Sequence, residues 1–195
     1  MTRIKYYFSI IKYFFILVKY YIVKFFKPSN NSQGNYKKLT YNGFMYIKIS
    51  NWIKRESKIK YSAPFKTIPS DDITRARSIH NDVLKEIKYV SDKKNYDKRE
   101  FWATTDETNE KGSGDCEDIA FIMMRRLIEA GYSRKDLCII CIEDHAFAGL
   151  YFNEKDFWVF DNGHITQIVK KASYILPLKN KKPLVGFNFE DIWSY

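Results

Sequence analysis

Apolar residues recur at helical spacing in one long segment near the middle of the chain. The segment follows Gly112-Ser113-Gly114-Asp115-Cys116, and its apolar members are Ile119, Ala120, Ile122, Met123, Leu127 and Ala130. Gly131 then ends the pattern, as glycine commonly does after the last turn of a helix. Asp115 is suited to cap the first free N–H groups. The pattern therefore predicts a helix with Cys116 in its first turn and the thiol facing the protein.

Three strands are predicted after this helix. Leu137 to Ile142 is a continuous apolar run, typical of a buried strand, and Glu143-Asp144 is suited to a tight turn. The next strand runs from His145 to Phe152, and a third runs from Phe157 to Asp161. The dipeptide that follows, Asn162-Gly163, predicts a further hairpin. His145 and Asp161 are thus expected side by side on neighbouring antiparallel strands.

Two earlier helices complete an α+β fold. The first is predicted from Phe44, Met45, Ile49, Trp52 and Ile53. The second is entered through Ser70-Asp71-Asp72 and carries Ala76, His80, Val83, Leu84, Ile87 and Val90. Residues 37–195 are long enough to form one domain with its own core.

The order of Cys116, His145 and Asp161 indicates nucleophilic catalysis. A helix N-terminus lowers a thiol pKa from about 8.5 and supplies N–H donors for an oxyanion. An imidazole held by a carboxylate can take the thiol proton. The Cys116 N–H is the expected oxyanion donor, with Trp102 as a second candidate.

Each of these residues also has a purely structural interpretation. Cys116 could be a small core residue at a capped helix start. Cys138 and Cys141 are interpreted in that way, because two residues three apart on a strand point to opposite faces and make a poor metal or redox pair. His80 and His164 are interpreted as surface or satisfied histidines.

The motifs together resemble one family. Phe101-Trp102-Ala103-Thr104-Thr105-Asp106-Glu107-Thr108, Gly114-Asp115-Cys116-Glu117-Asp118, His145-Ala146 and Asp161-Asn162 are similar to the bacterial transglutaminase-like cysteine peptidases. The resemblance extends from about Asn81 to about Pro177. It implies a papain-like, transglutaminase-like core, with Cys116 as nucleophile, His145 as base and Asp161 as orienting carboxylate. Relatives in the family include periplasmic, calcium-dependent, adhesin-cleaving proteases.

Calcium is expected from two arguments. The resemblance implies that Asp115 and Glu117 occupy calcium-carrying positions. Independently, three carboxylates beside a thiol, those of Asp115, Glu117 and Asp118, would raise its pKa and repel an oxyanion unless a hard cation neutralised them. The alternative is that Asp115 caps the helix while Glu117 and Asp118 complement its dipole.

The chain departs from the family pattern in two places. Thr105 stands where the family usually has proline, and the hairpin before His145, beside the expected active site, is very short. The substrate of the relatives is therefore not assigned to this chain.

Charge is divided sharply along the chain. Residues 1–60 contain 13 Lys or Arg and one Asp or Glu, whereas residues 61–195 contain 20 and 22. The net charge of +10 therefore belongs to an N-terminal arm, which does not suit a nucleic-acid-binding protein.

The arm is predicted to lie on a membrane surface. Over residues 1–27, lysines at positions 5, 12 and 19 share one helical face, and aromatic and aliphatic residues cover the other. The lysines interrupt the apolar run too often for a transmembrane span. The segment before Pro28 has no small-residue site for a cleaved signal peptide. Residues 28–36 are expected to be a polar linker. The alternative for the arm is a helix that packs on its own domain or on a partner.

These observations predict a thiol hydrolase that cleaves a peptide bond through a thioester. Its expected partners are a protein or peptide substrate and, through the arm, a membrane surface, with no nucleic acid. Acyl transfer to an amine, and a catalytically silent membrane-tethered binding protein, are the alternatives. A membrane-associated enzyme on a periplasmic face fits the resemblance, although the sequence does not fix the compartment.

Overall fold

The computed structural model describes residues 37–38, 43–62, 64, 66–153, 156–181 and 183–194. The predicted membrane-associating helix 1–27 and the linker 28–36 lie outside the described residues. Within the described part, no helix combines the length and the apolar character that a membrane span requires.

Antiparallel strands form the main sheet, in the order β1-β9-β8-β4-β5-β6-β7. Its strands are β1 (Lys37–Lys38), β4 (Leu137–Ile142), β5 (His145–Asn153), β6 (Asp156–Phe160), β7 (Lys170–Lys171), β8 (Val185–Phe187) and β9 (Ile192–Ser194). A separate two-stranded parallel sheet pairs β2 (Lys88–Tyr89) with β3 (Ser113–Gly114). The small sheet lies in sequence directly before Cys116, so it fixes the approach of the chain to that residue.

Six helices are described. They are α1 (Gly43–Glu56), α2 (Ile73–Glu86), α3 (Asp92–Tyr96), α4 (Thr105–Lys111), α5 (Cys116–Ala130) and α6 (Ala172–Leu178). Helix α5 is buried along most of its length because apolar residues surround it on nearly every side. It ends at Gly131, whose φ of 113° is the left-handed conformation that glycine adopts most readily.

The main sheet has a core on each face. One face packs against α1, α2 and α5 around Trp52, Phe121 and Phe187. The other face packs against α6 and the loop before it, around Phe147 and Phe157. Cys138 belongs to the second cluster and Cys141 to the first, which confirms that these two residues point to opposite faces.

The sequence predicted most of these elements. Both early helices, α5, β4 and the turn at Glu143-Asp144 are present, and the mixed architecture with its antiparallel sheet is confirmed. Helix α2 begins after Asp72, whose side chain accepts the Thr74 N–H. It ends at Glu86, so the predicted members Ile87 and Val90 lie beyond it. Extended backbone at Ile87 leads into β2, which pairs with β3 instead of continuing the helix.

Candidate active site

Cys116 is the first residue of α5, where sequence analysis placed it. Asp115 occupies the N-cap position in an extended conformation. Gly114, one residue earlier, packs so closely on α5 that a Cβ there would lie 2.4 Å from the Cβ of Asp118. A glycine is therefore required at this close approach. Gly112 ends α4 in the left-handed conformation, with a φ of 61°.

His145 and Asp161 are brought together as predicted. His145 is the first residue of β5, and Asp161 follows the last residue of the adjacent β6. The His145 Nε2–H donates to Asp161 Oδ1, and both residues are buried. Because Nε2 is engaged with the carboxylate, Nδ1 is the ring nitrogen left for proton transfer.

The start of β5 also meets the thiol. Burial and Glu117 raise the pKa of the Cys116 thiol, and the backbone N–H of Ala146, the neighbour of His145, opposes this rise. Helix α5 packs on β5 through the core, so the Cys116 thiol and the His145 imidazole are carried by two elements in direct contact. The first helical turn additionally leaves the Cys116 N–H without an intrahelical partner, as needed for an oxyanion donor.

Asp161 is held by more than His145. Its Oδ2 accepts backbone N–H groups from Gly163, Ile165 and Thr166 at 3.2, 2.6 and 3.0 Å. Burial alone would raise the pKa of this carboxyl, but the hydrogen bonds from His145 and Thr166 outweigh burial and hold the pKa below its ordinary value. A permanently charged carboxylate is thereby maintained next to the imidazole.

The hairpin predicted after Asp161 is present, because β6 and β7 pair antiparallel, but Asn162-Gly163 does not connect them as a two-residue turn. Residues 161–169 form an irregular connection, and β6 pairs with β7 only after it. The longer loop has a physical reason: the Asp161 carboxylate accepts three backbone N–H groups of the connection and so competes with a two-residue turn. Gly163, with a φ of 103°, contributes to this loop instead.

A cluster of carboxylates lies on the other side of the thiol. Asp92, Asp115 and Asp118 bring ligand atoms within 4.8 Å of one another, and so do Asp92, Glu100 and Glu117. One oxygen on each of the three aspartates is buried without a hydrogen-bond partner, namely Asp92 Oδ1, Asp115 Oδ1 and Asp118 Oδ2. Sequence analysis missed Asp92 and Glu100, since they come from α3 and from the segment before α4, far from Cys116 in sequence. We call Asp92, Glu100, Asp115, Glu117 and Asp118 the acidic cluster.

Two carboxyl groups of the acidic cluster have raised pKa values. Burial, followed by the charge of Glu117, raises the pKa of Asp115 from 3.8 to about 9. Burial likewise raises the pKa of Asp118 to about 8, although an N–H bond from Ala103 opposes the increase. Carboxyl groups resist ionisation in this way when no cation accompanies them.

Two expectations about the thiol environment need correction. Asp115 does not cap α5, because its side chain makes no capping hydrogen bond. The thiol pKa is also raised, by burial and then by Glu117, in place of the reduction expected from the helix dipole. Cys116 Sγ donates to Glu117 Oε2 at 3.0 Å, so the thiol proton is held by a carboxylate. The partial charge of a helix end is smaller than the full charge of an adjacent carboxylate.

Of three further side chains, Trp102 departs from its predicted role, whereas His164 and His80 agree with theirs. The Trp102 indole N–H donates to Glu100 Oε1 at 3.2 Å, so it is committed and is not a free oxyanion donor. His164 is exposed, as expected, yet its ring lies beside that of His145 with centroids 4.5 Å apart. His80 is buried and hydrogen-bonds through Nε2 to the Asp161 backbone carbonyl at 2.7 Å, which places it next to Asp161.

Comparison with known families accounts for this arrangement. Residues 38–174 match the family model described as bacterial transglutaminase-like cysteine proteinase. The match spans more than half of the chain and includes every residue of the candidate site. The chain belongs to this family. It is accordingly a cysteine peptidase with a transglutaminase-like fold.

Solved structures of one bacterial protein share the fold. Legionella pneumophila LapG is 21% identical over 80% of both chains, with a TM-score of 0.55. Its EGTA-treated form is 22% identical over 80% of both chains, with a TM-score of 0.53. Its calcium-bound form is 22% identical over 80% of this chain and 82% of its own, with a TM-score of 0.52. A search of curated proteins gave no match.

Proposed function

We propose that this cysteine peptidase cleaves a peptide bond through Cys116, His145 and Asp161. The observation that carries the proposal is the meeting of three chain segments at one point. The helix that begins at Cys116 packs on the strand that begins at His145, the Ala146 N–H of that strand acts on the thiol pKa, and His145 is held by Asp161. A nucleophile at a helix N-terminus, a base and an orienting carboxylate are the parts that a thiol peptidase needs.

The proposed reaction proceeds in two steps. His145 takes the Cys116 proton through Nδ1, and Sγ forms a bond with the peptide carbonyl carbon. The C–N bond then breaks as the imidazolium returns the proton to the departing amine. Water, deprotonated by the same imidazole, attacks the thioester and releases the carboxylic acid together with the thiol. Asp161 keeps Nε2 protonated and so holds the ring in the required tautomer.

The acidic cluster fits a calcium ion. Three unpartnered buried carboxylate oxygens form a set of hard donors, which suits Ca²⁺, and Asp115 and Glu117 are joined there by Asp92 and Asp118. When bound, the ion would neutralise these carboxylates and give Glu117 a partner other than the thiol. The solved structures of LapG include a calcium-bound form and an EGTA-treated form, which supports the proposal by similarity.

An active-site-directed probe tests the proposed function. A peptidyl electrophile that mimics the scissile amide should modify Cys116 in the intact chain and leave Cys138 and Cys141 unmodified, as read by peptide mass spectrometry. The two buried cysteines are internal controls because both are free thiols. The variant His145→Ala should lose the modification, whereas Cys138→Ala should retain it. Equal modification of all three cysteines, or labelling unaffected by His145→Ala, would contradict the proposed mechanism.

A further inference from the structure

A second concave site lies behind the catalytic carboxylate, outside the residues that the reaction uses. It is a pocket of about 610 Å³ between α2 and the strands β6 and β7, with α6 at its edge. Among its lining residues are Arg77, His80, Trp158, Lys170, Lys171 and Tyr174. Its volume lies within the range typical of ligand sites. We call it the basic pocket.

The basic pocket has a strong positive bias. Arg77, Lys170 and Lys171 line it, whereas none of the described lining residues is acidic. In the part of the chain that the structure describes, no carboxylate forms an ion pair with any of these three cations. Residues 61–195 as a whole contain slightly more acidic than basic residues. The basic pocket therefore has the opposite sign of charge to this part of the chain. The complementary ligand is anionic.

The walls of the basic pocket add apolar and aromatic surface. Arg77 and Lys171 lie over the Trp158 ring, at 5.8 and 5.5 Å from its centroid, and Lys170 lies 5.7 Å from that of Tyr174. Ile168 and Tyr174 are 58% and 59% exposed at the rim. A ligand that combines negative charge with apolar side chains would contact both kinds of surface.

Two unpartnered polar atoms of the lining residues favour a peptide over a simple anion as the ligand. His80 donates its Nε2–H to the Asp161 carbonyl, since a carbonyl only accepts, and burial lowers the His80 pKa, so the neutral ring presents Nδ1 as an acceptor. The Trp158 Nε1–H is a donor. Both atoms are buried and lack a hydrogen-bond partner among the described residues. A polypeptide backbone supplies an N–H for one and a C=O for the other, whereas phosphate offers mainly acceptors.

We propose that the basic pocket binds an acidic segment of a polypeptide and serves as an exosite for the substrate. Its role in cleavage rests on the proposed function, because the segment would belong to the chain that Cys116 cuts. The two sites adjoin through His80, which lines the pocket and hydrogen-bonds to the backbone of Asp161. A substrate held in the pocket therefore has a short path to the catalytic strands.

Binding is tested in the full chain carrying Cys116→Ala, which cannot turn the peptide over. The probe is a fluorescent Glu-rich peptide with one central Tyr, compared with the same peptide carrying Gln in place of Glu. Anisotropy at physiological salt should show that Arg77→Gln, Lys170→Gln and Lys171→Gln together weaken binding by about tenfold or more, equivalent to about 1.4 kcal/mol. The Gln peptide should bind weakly to every protein.

A matched variant controls for the basic N-terminal arm, which attracts acidic peptides without using the pocket. Lys85→Gln, Lys94→Gln and Lys135→Gln remove the same charge from exposed sites elsewhere and should leave affinity within about twofold. Equal losses in both triple variants, or none in either, would overturn the exosite. Inorganic phosphate displacing the peptide at low millimolar concentration would also overturn it, in favour of a small-anion site.

Turnover separates this inference from the proposed function. In the intact enzyme, an acidic extension on a cleavable peptide should lower KM about tenfold with little change in kcat, and the pocket variant should lose that advantage. If no peptide is cleaved but the difference in binding persists, the exosite stands and the peptidase mechanism fails. If cleavage proceeds with equal KM for acidic and neutral extensions, the exosite fails and the mechanism stands.

Discussion

The two sides of the Cys116 thiol differ in how completely the chain satisfies its own polar groups. On the His145 side, both oxygens of Asp161 are hydrogen-bonded, to the imidazole and to three backbone N–H groups. On the acidic side, three buried carboxylate oxygens have no partner. Unsatisfied buried polar groups are destabilising. The chain supplies every partner of the Asp161 carboxylate, whereas its described residues supply none for these three oxygens. The proposed catalytic residues thus lie where the polar groups are satisfied, and the proposed ion ligands lie where they are not.

The largest expected effect on activity comes from substitutions on the His145 side of the thiol. Cys116→Ala or His145→Ala should reduce kcat by about 10⁶, whereas Asp161→Asn should reduce it by about 10⁴, because orientation is lost while nucleophile and base remain. Steady-state cleavage of a peptide substrate measures these losses. Cys138→Ala is the matched control and should retain activity. Unchanged turnover in Cys116→Ala would remove the thiol from the mechanism.

The acidic side should respond to calcium in the folded protein. A ligand that binds only the folded state adds about 2.7 kcal/mol at a hundredfold excess over Kd, or about 5–10 °C in Tm for a chain of this size. Differential scanning calorimetry with calcium and with EGTA measures the shift. Asp118→Asn should raise the Tm in EGTA, because the folded state no longer has to keep a buried carboxyl protonated, and lower it in calcium, by removing a ligand. The same sign of change in both buffers would show that the cluster holds no calcium.

The pH dependence of the calcium-free protein sharpens this result. The pKa values of Asp115 and Asp118 are raised from 3.8 to about 9 and about 8. The folded state therefore binds these protons more tightly than the unfolded chain, and the contribution of these two groups to stability is greatest below about pH 4 and is lost as pH rises to about 9. Urea unfolding in EGTA should show the decline. Asp118→Asn should reduce its slope, and the exposed control Asp82→Asn should not. A wild-type stability that rises over this range would refute the raised values.

The sequence predicted the pairing of His145 with Asp161 better than it predicted the acidic cluster, for a physical reason. His145 and Asp161 belong to consecutive strands, so strand period and turn chemistry were enough to place them together. Asp92 and Glu100 approach Glu117 only through tertiary packing, which no local pattern encodes. The irregular connection after Asp161 was missed for a related reason. Its conformation is set by one carboxylate binding three backbone N–H groups, which outweighs the turn preference of Asn162-Gly163.

Glu56 provides a buried carboxylate that contrasts with the acidic cluster. It is 1% exposed, yet it accepts from the Thr105 N–H at 2.9 Å, from the Thr105 hydroxyl and from the Tyr61 hydroxyl at 2.5 Å. The family resemblance places proline at position 105, and proline could not donate this N–H. Threonine here is therefore matched to Glu56.

Removing one partner of Glu56 should destabilise the fold without affecting calcium binding. Thr105→Val deletes the hydroxyl donor and should cost about 1–3 kcal/mol, measured by urea unfolding. Thr108→Val is the control, because this equally buried hydroxyl donates to the uncharged Thr104 carbonyl and its loss should cost less. Calcium should raise the Tm of both variants as much as that of the wild type. A Thr105→Val defect that calcium abolishes would mean that the two carboxylate systems are coupled.

The smallest expected effect on the site comes from the N-terminal arm. Catalytic and calcium-binding candidates all lie after residue 90, and β1 begins only at Lys37, so a chain starting at Tyr36 retains every one of them. We expect it to be soluble, with kcat/KM for a neutral peptide within about twofold of the full chain. The intact protein should bind vesicles of anionic lipid and dissociate progressively as salt screens the lysines, with some salt-resistant binding from aromatic insertion. Sedimentation with vesicles measures both proteins, and vesicles of neutral lipid are the control. An aggregated truncated chain, together with an intact chain that ignores anionic vesicles, would favour the alternative that residues 4–26 pack on the domain.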